Sequence, residues 1–238
     1  MAIRIDRIRD DLSLGLRLTG LVTVLATATF LALGPDITAS LFPGNSSGET
    51  RGIAYVAMAM MLGLVPFSSQ YLFQRVFYVF EDARTPFLIQ VPVMLIWSVG
   101  NLLSLWLMPP QLIVVGIGLA MSAANLIGAG LSLILLRRRL LRLDGGRVLS
   151  TYLKLSAAAA FAGALAWMAA RGVHAVAGYD WPATVLATAV GGMVIVGCYV
   201  GGLMLLGVPE LGEMLRPLLR RPRGVRGRGG PPGAPSAS

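Results

Sequence analysis

Residues 85–136 read TPFLIQVPVMLIWSVGNLLSLWLMPPQLIVVGIGLAMSAANLIGAGLSLILL, with no Asp, Glu, Lys or Arg between Arg84 and Arg137. One membrane-spanning helix needs about 20 mostly apolar residues, so this run is too long for one. Pro109-Pro110-Gln111 divides it, because proline cannot continue a helix and removes a backbone donor. The run is therefore two spans joined by a tight turn. Working outward, Arg17 to Asp36, Arg51 to Arg75, Lys154 to Arg171 and Asp180 to Glu210 bound four further apolar stretches. The fold class is all-α: a polytopic membrane bundle of six spans at about 14–35, 53–80, 87–107, 112–137, 152–171 and 182–207.

Composition agrees. Of 238 residues, 55% are apolar and 13% charged, against about 25% charged in ordinary soluble domains. A soluble globule of this size could not hide that much apolar surface. The net charge of +9 would point to nucleic acid in a soluble chain. Here the cations lie in the connections between apolar runs, so anionic membrane lipids are the expected partner and nucleic acid is not.

With both termini on one side, that side holds eighteen of the twenty cations, and the other holds Arg51 and Arg171 alone. The positive-inside rule makes the richer side cytoplasmic. Residues 1–208 form the bundle and 209–238 a basic, Pro/Gly-rich tail, expected to be disordered. Arg4, Arg7 and Arg9 before the first apolar run could suggest a cleavable leader, but the run continues through Leu33 and Asp10-Asp11 interrupt the basic start.

The lone Cys198 and lone His174 exclude a disulfide and a histidine cluster, so neither metal nor cofactor is expected. No GxSxG, HExxH or P-loop occurs, which argues for a transporter rather than an enzyme. Glu81-Asp82, flanked by Arg75 and Arg84, reads as interfacial ion pairing. No span carries a charge at its centre, where ion-coupled pumps place one.

The polar residues inside the spans are few. Thr19, Thr23 and Thr27 share a face of the first span, Ser98, Asn101 and Ser104 a face of the third, and Ser122, Asn125 and Ser132 a face of the fourth. Such groups either hydrogen-bond their own or a neighbouring helix, or line a polar cavity. Thr23, Thr27, Ser98, Asn101, Ser122 and Asn125 are the cavity candidates. Pro66 and Pro92 predict kinks, and Gly197 and Gly201 form a GxxxG pair, alongside Gly191, Gly192 and Gly202, suited to close packing.

The segment QRVFYVFEDARTPF, residues 74–87, resembles the motif of the MurJ/MviN family of lipid II flippases, approximately R-x-F-Y-x-x-x-D-x-x-T-P. Arg75, Phe77, Tyr78, Asp82, Thr85 and Pro86 match it, and GLVPFSSQYLFQ before it is also similar to the family. The resemblance implies transport of a lipid-linked peptidoglycan precursor across a bacterial plasma membrane by alternating access. It covers most of this chain but only the second half of a full member, whose spans number fourteen; these six resemble the ninth to the last. It therefore implies a truncated chain, or a half that needs an N-terminal helix bundle as partner, where the family's substrate-binding arginines lie. The motif residues are then expected to be structural or gating. The last two spans would correspond to a hydrophobic groove for the polyprenyl tail. Asn101 would fit a family cation site, but no carboxylate accompanies it. Two other readings stand beside this one: half of another lipid-linked oligosaccharide exporter, and a non-transporting scaffold that binds partners through its basic loops.

Overall fold

The computed structural model describes residues 2–140 and 145–207. Seven helices follow in order: α1 (Ala2–Leu41), α2 (Ser47–Met61), α3 (Leu64–Val79), α4 (Arg84–Leu107), α5 (Ile113–Leu140), α6 (Gly145–Ala177) and α7 (Trp181–Leu205). There is no strand among the described residues. Helices α2 and α3 run on as one crossing, so six segments are long and apolar enough to span a membrane. The tail assigned to 209–238 lies outside the described residues.

The helices run past the ends that charge alone suggested. The first span was expected to stop before Asp36, yet α1 continues through Pro35 to Leu41. Its final turns are held from outside. The Thr38 hydroxyl donates to the carbonyls of Gly34 (2.9 Å) and Thr50 (3.2 Å), and the Trp181 indole donates to the Ser40 carbonyl at 3.1 Å. Where lipid offers no hydrogen bond, such partners hold carbonyls near the end of the helix.

The second span is broken, and not at Pro66. The break is at Leu62–Gly63, and Pro66 sits in the first turn of α3, where a missing N–H costs little. Ser46 begins α2 with a capping box closed by Glu49.

Two apolar cores organise the bundle. One joins α1, α6 and α7: Ala158, Ala159, Ala162, Ala166 and Ala170 pack against Leu33, Ile195, Tyr199 and Leu203. Alanine at this spacing lets the helices approach closely, which is how packing substitutes for the hydrophobic effect inside lipid. The other joins the first half of α1 to α3, α4 and α5 through Leu16, Phe73, Phe77, Val93 and Leu136. The expected close approach at Gly197 and Gly201 is not found: a Cβ added at either meets nothing within 4 Å. In α7 the tight contact is at Gly191, where a Cβ would stand 2.8 Å from Leu33.

Candidate functional site

The matched segment folds into the turn between α3 and α4. Phe80 ends α3 and Glu81 takes a left-handed conformation (φ 56°), the only non-glycine among the described residues to do so. The Asp82 amide then donates to the Phe77 carbonyl (3.1 Å) and the Glu81 amide to the Tyr78 carbonyl (3.0 Å). This is a Schellman closure, satisfying carbonyls that a helix end leaves bare.

Asp82 starts the next helix. Its carboxylate accepts from the backbone amides of Arg84 and Thr85, both at 3.0 Å, and from the Thr85 hydroxyl at 2.6 Å. The Arg139 guanidinium, at the end of α5, forms an ion pair with Oδ2, the oxygen that also accepts from the Thr85 hydroxyl. The Thr85 hydroxyl and amide, with Arg139 beside them, hold the Asp82 carboxyl down at about 2. The same guanidinium lies 5.7 Å from the centroid of the Phe77 ring, which is fully buried. Pro86 is buried in the first turn of α4. Asp82, Thr85, Pro86 and Phe77 thus bind α3, α4 and α5 together at the arginine-rich end. Tyr78 and Arg75 point outward, with Arg75 placed 5.1 Å from the centroid of the Tyr71 ring.

Beside this turn, α3 and α4 splay apart around a polar groove. Gln70, Gln74, Gln90 and Asn125 line it with Tyr71 and Tyr78. Gln70 is buried and donates weakly to Gln90 at 3.4 Å. Four amides and two phenols in one groove stand out in spans this apolar.

The other cavity candidates are dispersed. Thr23 donates to the Thr19 carbonyl in its own helix at 2.9 Å. Thr27 and Ser122 serve the broken second span, where Thr27 donates to the Met61 carbonyl at 3.1 Å and Ser122 to the Ala59 carbonyl at 2.6 Å. At this break the Gly63 amide donates to Met60, one residue short of the helical partner, so the Ala59 carbonyl is free to accept from α5. Ser98 is exposed. Asn101 keeps a buried Oδ1 with no hydrogen-bond partner. Of the six candidates, only Asn125 reaches the polar groove.

The family model described as lipid II flippase MurJ matches residues 3–180. The chain belongs to the MurJ family. No solved structure matches it. The MurJ match takes in the α3–α4 turn and the whole polar groove. A MurJ cation site around Asn101 finds no cluster of metal-binding side chains among the described residues. An apolar crevice opens between α1 and α6, walled by Val24, Leu31, Ala159 and Trp167, and no residue of α7 lines it.

One polar cluster was not foreseen. At the end opposite the arginines, His174 Nε2 lies 3.0 Å from Asp36 Oδ1, its Nδ1 lies 3.0 Å from the Gly178 carbonyl, and its ring stacks on Tyr179 at 4.5 Å. In the sequence Asp36 marks only the bound of a span, and His174 is a lone histidine. Nothing in the chain's periodicity joins residues this far apart in sequence.

Proposed function

We propose that this chain supplies one helix bundle of a lipid II flippase in the bacterial plasma membrane, carrying the lipid-linked peptidoglycan precursor from the inner to the outer leaflet. The observation that carries this reading is the polar groove between α3 and α4. Amide groups facing hydrocarbon without partners are costly, so such a face belongs against a second bundle or a water-filled path. The second bundle, an N-terminal one, supplies the cationic cavity for the substrate's pyrophosphate. The two bundles rock against one another in alternating access.

In this arrangement the motif has a mechanical part. Asp82 and Arg139 tie α3, α4 and α5 into a rigid corner at the cytoplasmic end, so the groove-bearing helices move as one body. Arg75 and Tyr78, left outward by the same corner, face the partner bundle or the headgroup.

The test is transbilayer movement of labelled lipid II in proteoliposomes, with the chain alone and co-reconstituted with the N-terminal bundle of a family member. Flipping is expected with both bundles present, and Gln70→Leu with Gln90→Leu reduces it. Absence of flipping in both preparations overturns the proposal.

A further inference from the structure

A second groove lies near the arginine-rich end, between α1, α3, α5 and α6, with a volume of about 400 Å³. Phe73, Leu126, Leu133 and Leu149 wall it. Two of its polar groups are already occupied: Tyr152 donates to the Leu16 carbonyl at 3.0 Å, and Ser69 to the Val65 carbonyl at 2.9 Å. Among the described residues, the single charge lining it is Arg137, in the last turn of α5. Arg139, one turn-face away, is engaged by Asp82. Arg137 is exposed and makes no hydrogen bond or ion pair among the described residues.

We infer that this groove binds one anionic phospholipid of the adjacent leaflet, with an acyl chain along the apolar walls and the phosphate on the Arg137 guanidinium. Charge complementarity selects the occupant. Lipid tails are as apolar as the groove, so the walls give little preference for one lipid over another. Discrimination must come from the headgroup, and a planar guanidinium at the mouth matches a phosphate with two parallel donors. A zwitterionic lipid brings its own cation to the same place and gains less. The inference is independent of the flipping reading.

The structure also provides a way to close the groove. Gly130 lines it, and a Cβ added there meets nothing within 4 Å. Gly130→Leu therefore starts its side chain in open space at the groove wall.

The test is native mass spectrometry of the full chain in detergent, titrated with phosphatidylglycerol and phosphatidylcholine of identical acyl chains. The unaltered chain should retain phosphatidylglycerol about tenfold better, the worth of one charge-assisted hydrogen bond. Arg137→Gln should remove that preference while phosphatidylcholine binding stays as it was. Arg138→Gln, which alters a neighbouring arginine outside the groove, should leave the preference intact. Gly130→Leu should weaken retention of both lipids. The inference is overturned if Arg137→Gln keeps the preference, if Arg138→Gln abolishes it equally, or if Gly130→Leu changes nothing. It also fails if a polyprenyl phosphate occupies the Arg137-dependent site and phosphatidylglycerol does not.

Discussion

Replacing Gly63 with alanine probes the feature that most distinguishes this bundle from six plain helices. The added Cβ would stand 2.7 Å from both Cα and Oγ of Ser122, where ordinary contact begins at 3.4 Å. Ser122 Cα is backbone and cannot rotate away, so α5 must retreat from the break by the better part of an ångström. Overfilling a packed interior in this way costs about 1–3 kcal/mol. The retreat also stretches the 2.6 Å bond from Ser122 to the Ala59 carbonyl, worth about 1 kcal/mol, and water cannot replace it. The sum is about 2–4 kcal/mol. At about 2–4 °C per kcal/mol for a chain of this size, the melting temperature in detergent should fall by roughly 4–16 °C. Gly192→Ala is the control: its Cβ meets nothing within 4 Å, and alanine is the better helix former by up to about 1 kcal/mol, so its melting temperature should hold or rise. Ser122→Ala alone should cost about 1 kcal/mol, and less than that when added to Gly63→Ala, because both changes remove the same bond. Melting curves from tryptophan fluorescence read all four proteins. A Gly63→Ala protein as stable as Gly192→Ala would refute the close approach and with it the account of the break.

Other expectations concern the corner and the two cores. The Asp82 carboxyl sits below its usual range, at about 2; a lowered folded value means its contribution is fully present above the unfolded value and lost as pH falls through the folded one. Exchange protection of the Arg84 and Thr85 amides should thus be constant from about pH 5 to 8 and disappear between about pH 4 and 2, while Asp82→Ala should lack it at every pH. Glu81 holds a left-handed backbone (φ 56°), so Glu81→Gly should stabilise the turn by about 1 kcal/mol, seen as a higher melting temperature. Tyr199 is fully buried and donates to the Leu21 carbonyl at 2.9 Å. Tyr199→Phe should cost about 1 kcal/mol, whereas Tyr199→Ala should cost about 3–5 kcal/mol by opening a cavity, a contrast that thermal melts resolve.

The fold class was legible in the sequence because hydrocarbon imposes two strict conditions on a chain. Each span must be long and uncharged, and each backbone amide must be satisfied within it. The charge-free run from Thr85 to Leu136, cut once at Pro109-Pro110, meets both conditions in only one way. The motif at 75–86 was legible for a related reason. Turn chemistry is local, and Asp82, Thr85 and Pro86 act on amides and carbonyls within a few residues of themselves.

Tertiary structure decided everything that depended on which faces meet. The glycine pair at 197 and 201 has the spacing of a packing motif, yet neither meets a neighbour, while Gly63, Gly100, Gly116 and Gly191 lie hard against one, because neighbouring helices and not spacing choose the face. Thr27 and Ser122 read as cavity hydroxyls, but the break at Gly63 leaves carbonyls that they are placed to reach. Asp36 and His174 meet only because α1 and α6 outrun their apolar stretches by more than a turn. A one-dimensional pattern states how often a polar group recurs along a helix. Inside a membrane, its partner is its own helix, as for Thr23, or another helix, as for Ser122, and only packing decides between them.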